Sequence, residues 1–425
     1  MLQPIYDVIV FGGGTAGVTA AVQAGRSGAN VLLVEKNGIL GGTMTAGGID
    51  APAHFFAWGK QIISGIGWEI AEEVWKLTGQ DPPGPEFTKD NPGPRHLSVD
   101  KNILACVCDN KVIESGVEIL FHSMPGSLKY ENNKWSAVIC TKTGLMNTSA
   151  KIIVDATGDG NAAMIAGFEL LSSDVVQPGT LSIRLSGYDP DSLDYEALRE
   201  AASEAVTRGE LKTTDIAWDG RGPEPFLRKL GKNGNHVRAL HGETSPGRTA
   251  VELEARRAVL RMYLFLKRQP GLERLKIDEM AVETGIRETR RIRGKHEISV
   301  HEYEAGTVYP DAVCYAFYPV DEHLNDGKGI NCRFLKDQVL PTIPLRAMLP
   351  AGSRQFITAG RCISSDREAN AAVRVECPCM AMGQAAGAAA ALCARSGIDP
   401  EELSMETLRD ELKMNGAVVP PNLND

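Results

Sequence analysis

The chain has no Cys-x-x-Cys pair, and its nine cysteines form no regular framework. The first absence argues against a dithiol–disulfide redox mechanism, and the second argues against a disulfide scaffold and points to a reducing compartment. Positive charge is not in excess either. A formal net charge of -9 argues against nucleic acid or an anionic membrane surface as the main partner. Two long stretches carry no charge, Val8 to Gly25 and Cys377 to Ala394, yet neither suits lipid. The first holds three adjacent glycines with threonine and glutamine, and the second is a run of small residues closed by Glu376 and Arg395. Both read as buried elements. Met1 to Tyr6 is too short for a signal peptide, so the expectation is a cytoplasmic protein with no membrane partner.

What is present begins with a strand, turn and helix. Asp7 to Phe11 is an apolar strand, Gly12-Gly13-Gly14-Thr15-Ala16-Gly17 is a G-x-G-x-x-G turn, and Val18 to Arg26 reads as the helix it opens. Such a turn brings bare backbone N–H groups to a helix N-terminus, where a pyrophosphate can sit. Gly12 allows the tight turn, Gly14 removes a Cβ that would hold a phosphate away, and Gly17 lets the helix lie on the strand. Val31 to Val34 is the second strand, and Glu35 follows where an acid accepts from adenosine ribose hydroxyls. The motif defines a dinucleotide site but does not by itself separate FAD from NAD.

With 425 residues and 43% hydrophobic content, the chain exceeds what one core usually supports, and two lobes are expected. After Glu35 and Lys36, the glycine- and threonine-rich stretch through Gly48 reads as a loop passing close to the cofactor. Helices are expected over Trp68 to Leu77 and Ser98 to Ser115, with a proline- and glycine-rich lid or rim over Gly79 to Pro94. A strand over Gly116 to His122 precedes a small antiparallel meander that turns at Asn132-Asn133 and Gly144. Lys151 to Ala163 is another strand-turn-helix, but Leu170 to Gly179 offers no second strand ending in an acid. A separate NADPH fold is therefore not expected. The middle of the chain has one clear helix, Ala250 to Arg268, and a dense polar cluster over Thr284 to Arg293. Alternating geometry there would put Arg287, Arg291 and Arg293 on one face and Arg290 opposite.

Four motifs recur in the order of a known family: the glycine turn with Glu35, the Gly41-Gly42-Thr43 loop, Asp155-Ala156-Thr157-Gly158-Asp159, and a closing segment. That last segment runs from Ala359-Gly360-Arg361 through Arg374 to Gly383-Gln384-Ala385-Ala386-Gly387. The chain resembles the FAD-dependent oxidoreductase family of the glutathione-reductase-like superfamily, on the branch with fumarate-reductase-type and heterodisulfide-reductase-like flavoproteins. The resemblance implies FAD. It implies that Gly12, Gly14, Thr15, Ala16 and Gly17 hold the pyrophosphate, and that Glu35 and Lys36 lie at the adenosine. Gly41, Gly42 and Thr43 would run beside the flavin, and Ala156, Gly158 and Asp159 would support the pyrophosphate or ribityl region. Gly360 and Arg361 would meet the ribityl phosphate, although relatives often carry an acid where Arg361 stands. The helix after Arg374, containing Gly383, would aim its N-terminus at the pyrimidine edge of the flavin. Cys106/Cys108 and Cys377/Cys379 are Cys-x-Cys pairs, without the repeated Cys-x-x-Cys of cluster ligation, so no metal is expected.

The expected fold is α/β. A discontinuous Rossmann-like FAD-binding domain, 1–45, 97–167 and 350–397, carries the β-meander. An α+β substrate or cap lobe is made of 46–96 and 168–349, and 398–425 forms a C-terminal tail. The first functional expectation is hydride transfer between a small organic substrate and flavin N5. Arg287, Arg290 or Arg291 would anchor the substrate, His323 oriented by Asp321 would be the general base, and His54 is a reserve. A non-catalytic flavin-binding or escort protein and an NAD(P)H-dependent flavin reductase are the alternatives. The sequence leaves the electron partner open and a homo-oligomer possible.

Overall fold

The computed structural model describes residues 5–85, 98–216, 222–232, 234–325 and 329–420. The segment 86–94 of the expected rim, the boundary residue 97 and the last residues of the tail lie outside them. The first strand, β1 (Ile5–Phe11), sits in the middle of a seven-stranded sheet. Its side chains alternate between two cores: Val8 and Val10 enter one, and Tyr6, Ile9 and Phe11 the other. From Val8 to Phe11 the strand is covered on both faces and apolar at every position, which is why this part lacks a polar alternation, while Asp7 at its edge pairs with Lys151. Helix α1 (Thr15–Arg26) follows, then β2 (Val31–Val34), whose Val31 and Leu33 share the core of Val8 while Leu32 and Val34 share that of Ile9.

Helix α2 (Ile66–Leu77) and helix α3 (Lys101–Glu114) pack beside this layer, and Asp100 caps α3 by accepting from the Asn102 and Ile103 N–H groups. Strand β3 (Glu118–Leu120) lies on the outer side of β2. Strands β4 (Met124–Glu131), β5 (Lys134–Thr141) and β6 (Gly144–Asp155) follow. The turn between β4 and β5 has positive φ at both Asn132 and Asn133, the geometry of a tight hairpin. One expectation needs correcting. The meander strand that follows the Gly144 turn and the strand expected to begin at Lys151 are a single twelve-residue strand, β6. It pairs antiparallel with β5 over 144–150 and parallel with β1 over 149–155, so two ladders hold one continuous backbone. Strand β7 (Phe356–Thr358) pairs with its far end, and the order across the sheet is β3-β2-β1-β6-β5-β4 with β7 also on β6.

The middle of the chain contributes to two cores. Residues from Val176 to Ile286 close a core of their own around α4 (Ser245–Leu266), which buries Val251, Ala255, Ala258, Met262 and Phe265 at helical spacing. Phe55, Ile66 and Trp75, and later Tyr303, Val313 and Ile343, instead join the core of β1 and α1. Helix α5 (Arg367–Val373) leads into α6 (Glu376–Ser396), and α7 (Met405–Met414) packs on it through Leu408 and Leu412. By length and composition α6 could cross a membrane, but 94% of its apolar window is buried inside the protein. Its glycines explain the fit. A Cβ on Gly383 would stand 2.1 Å from Ala16 O, and one on Gly387 2.2 Å from Ala20 O, so α6 and α1 meet backbone to backbone.

Candidate active site

The turn after β1 is built by steric necessity. Gly12 has φ +98°, and a Cβ there would lie 2.4 Å from Ala156 O; a Cβ on Gly17 would lie 1.7 Å from Gly12 O. Gly14 differs, because a Cβ there meets only Gly42 Cα, at 3.9 Å. It faces open space and caps α1 without a side-chain hydrogen bond. The first N–H groups of α1 are thus left for an anion. Glu35 is buried beside them, its Oε2 accepting from Gly13 N–H at 2.6 Å and its Oε1 from Asn37 N–H at 2.7 Å. Burial raises its pKa above the ordinary carboxylate value, and the two N–H groups oppose that rise. Lys36 ion-pairs with Glu283 from the middle of the chain.

These groups line one end of a cavity of about 1260 Å³. Gly12, Gly14, Thr15, Ala16, Glu35, Lys36, Gly42 and Thr43 face it, and so do Ala156, Gly158, Asp159, Gly360 and Arg361. The cavity also takes in the start of α6 through Arg374, Val375, Glu376 and Cys379. Three expected contacts belong behind the wall instead. Gly17 packs α1 on the turn, Gly383 packs α6 on α1, and Gly41 donates its N–H to Gly13 O at 2.8 Å to hold the second loop in place. Arg361 donates to the Asp159 carboxylate at 2.6 Å, to Gly158 O at 2.8 Å and to Ile286 O. Asp159 also accepts from the Thr289 hydroxyl at 2.8 Å, so the arginine's observed work is to tie this acid and the lobe to the cradle.

The dense arginine cluster does not form one alternating strand. Only Arg291–Ile292 is extended and paired, and the chain from 286 to 290 is irregular, so the side chains diverge. Arg290 lines the cavity and donates to Asn161 at 3.0 Å and to Asp159 O at 3.3 Å. Arg291 turns into the protein and donates to Ser365 O at 2.9 Å, outside the cavity lining. Arg293 pairs with Glu169 at the surface. Arg287 lines the cavity where Tyr318, Asp321 and Arg374 act on it, and is held by Pro178 O at 2.6 Å, Thr180 Oγ1 at 2.8 Å and His236 Nε2 at 3.1 Å. A guanidinium can only donate, so His236 accepts at Nε2 and is neutral.

His323 and Asp321 line this same end, but His323 Nδ1 and Asp321 Oδ1 are 3.6 Å apart, longer than a hydrogen bond. The His323 ring stacks on His236 with centroids 5.5 Å apart and planes 11° apart. Burial, then the positive charges of Arg287 and Arg374, holds His323 far below the ordinary imidazole range. Burial likewise lowers His236, and it pushes Arg287 down to about 9 with help from Arg374. His54 is buried behind the wall, 5.8 Å from the Phe317 ring and 5.7 Å from the Tyr318 ring, and does not line the cavity. Sequence reasoning missed Tyr318, whose phenol burial pushes up to about 12, and His236. Tyr318 stands three positions before Asp321 and could have been found with it; His236 carries no local signal.

An apolar parallel sheet, a glycine turn at an uncapped helix start and a buried acid on the next strand define a dinucleotide-binding α/β protein. The family model described as FAD dependent oxidoreductase matches residues 7–412, and the chain belongs to that family. Its cofactor is FAD. The chain is 32% identical over 165 residues to the thiamine thiazole synthase of Aeropyrum pernix, covering 36% of this chain and 54% of that protein. It is 26% identical over 166 residues to digeranylgeranylglycerophospholipid reductase 2 of Methanothermobacter thermautotrophicus, covering 39% and 42%. The chain thus spans about half the length of these curated relatives. Among solved structures, a geranylgeranyl bacteriochlorophyll reductase-like protein of Thermoplasma acidophilum aligns over 96% of this chain and 83% of its own, at 15% identity and a TM-score of 0.41.

Proposed function

We propose that this protein is an oxidoreductase that moves a hydride between a small organic anion and the N5 atom of FAD. The observation that carries the reading is the pair Arg287 and Arg374, which face the same cavity as the nucleotide cradle. Arg287 has only neutral hydrogen-bond partners, and Arg374 donates to the amide oxygen of Gln177. The Nε of Arg374 is buried with no hydrogen-bond partner. Neither half-buried guanidinium is hydrogen-bonded to a carboxylate, although Asp321 acts on Arg287 and Glu376 on Arg374 through space, and an oxyanion brought in by a ligand would give both a bonded partner.

The cradle residues fit FAD. The uncapped start of α1, open at Gly14, would take the pyrophosphate, Glu35 the adenosine ribose, and Gly42, Thr43, Gly360 and the start of α6 the flavin end. Bound FAD would supply a centre that takes or gives a hydride. Arg287 and Arg374 would fix the substrate anion. His323 is held neutral partly by those two positive charges, so an anion bound between them raises its basicity and lets it accept a proton. The substrate thereby prepares its own base. Tyr318 is a second protic group on the same wall.

The test is anaerobic spectroscopy of the FAD-loaded protein with hydroxy acids, amino acids and sugars as donors. Unsaturated carboxylates are then added as acceptors after photoreduction. Bleaching or reoxidation by a carboxylate, lost in Arg287→Ala with FAD retained, is the expected result. Bleaching by NADH or NADPH alone would favour a flavin reductase. Bound flavin that exchanges electrons with none of these would favour a flavin-binding protein without turnover, and protein that takes up no FAD would overturn the cradle.

A further inference from the structure

Behind the wall of the cavity, Gln177 joins the two groups that face the substrate end. It is fully buried and comes from the stretch between Leu170 and Gly179 that forms no second nucleotide strand. Its Oε1 accepts from the backbone N–H of His323 at 3.0 Å and from the Arg374 guanidinium at 3.3 Å. Its Nε2 donates to Glu288 Oε2 at 3.1 Å, and its own backbone N–H donates to Glu288 Oε1 at 2.7 Å. Arg367, at the start of α5, pairs with Glu288 at 3.1 Å and with Glu322 at 2.7 Å. The partners leave the amide one orientation. A backbone N–H and a guanidinium can only donate, and a carboxylate paired with an arginine can only accept.

We propose that Gln177 is a positioning residue that sets Arg374 and the His323 strand against each other and aims the guanidinium at the substrate end of the cavity. The inference rests on the anionic-substrate reading. Among the described residues the bond to Gln177 is the one hydrogen bond that Arg374 side-chain nitrogens make, and the buried Nε has no partner there. Glu288 acts one step further back: it orients the amide and is itself held by Arg367. The chain Arg367, Glu288, Gln177, Arg374 therefore runs from the start of helix α5 through the middle lobe and back to Arg374, the residue that closes α5 at the cavity.

The amide and carboxylate can be exchanged. In the double variant Gln177→Glu with Glu288→Gln, the new carboxylate still accepts from Arg374, from His323 N–H and from the new amide at 288. That amide's oxygen still accepts from the 177 N–H and from Arg367. Gln177→Glu alone places two carboxylates face to face. The FAD-loaded wild type, Gln177→Leu, Gln177→Glu and the double variant would be titrated with acetate, succinate and tricarballylate, read by the flavin absorbance shift, and melted in parallel. The expected result is roughly tenfold weaker binding in each single variant and recovery to within about threefold in the double variant. Unchanged affinity in Gln177→Leu, or a double variant no better than Gln177→Glu alone, would overturn the proposal. If no carboxylate shifts the wild-type spectrum while the double variant recovers thermal stability, the anionic-substrate reading fails. The positioning role then falls too, leaving Gln177 a structural amide.

Discussion

At the Glu35 end of the cavity the groups are backbone amides and one carboxylate from a single run of chain, Gly12 to Asn37, backed by the Gly41–Gly42 loop. At the Arg287 end they are side chains drawn from positions 287, 318, 321, 323 and 374, with His236 bonded to Arg287 and Gln177 and Glu288 behind them. The first end is rigid because steric contact leaves its backbone one path. The second is defined by half-buried guanidiniums and a buried neutral imidazole that are held in place before any ligand arrives. A pre-shaped backbone suits a cofactor that is always the same molecule, and an arrangement of side chains can be retuned for a particular substrate without moving the sheet.

The largest effect that would break the contrast is at Gly17. Gly17→Val drives a side chain into Gly12 O, so loss of bound FAD and a stability cost of roughly 3 kcal/mol or more are expected, measured by flavin absorbance and denaturant unfolding. Next is Arg287→Ala, which should weaken carboxylate binding about 100-fold while FAD stays bound. Arg291→Lys, four positions along the chain but outside the cavity lining, should leave that titration unchanged. Equal losses in both would erase the distinction between the two arginines. Glu35→Gln should weaken FAD about tenfold by direct titration of the apoprotein, since a neutral acceptor replaces a charged one.

The smallest effect is on pH. Burial and nearby positive charge keep His323 from protonating in the folded protein, so the unfolded chain binds more protons once pH falls below its ordinary value near 6.5. The stability tied to this neutral imidazole is complete above that value and is lost below it. Between pH 7.5 and 5.5 the wild type should lose about 1.4 kcal/mol more than His323→Gln, by denaturant unfolding at the two pH values. A parallel loss in both proteins would show that His323 titrates normally in the fold.

Local sequence carried the cradle well because each of its requirements is local. The Gly12 turn, the Gly17 contact and the strand ending at Glu35 depend on residues a few positions apart, and the continuous apolar pattern of β1 follows from burial on both faces. Strand β6 was legible only in halves, because its first half alternates against β5 and its second half is buried in the parallel sheet. For the arginines, proximity along the chain was no guide to proximity in space. Arg287, Arg290, Arg291 and Arg293 lie within seven positions, yet an irregular backbone from 286 to 290 sends them to four different places.

By itself the sequence determined the sheet's central strands, the glycine turn and the acid that follows, because sterics and burial periodicity act over a few bonds. Only the tertiary structure decided which arginine faces the cavity, that Tyr318 and His236 stand with His323, and that Gln177 links His323 to Arg374. Those groups are as much as 197 positions apart along the chain, and the electrostatic field they share exists only after folding has removed the water between them.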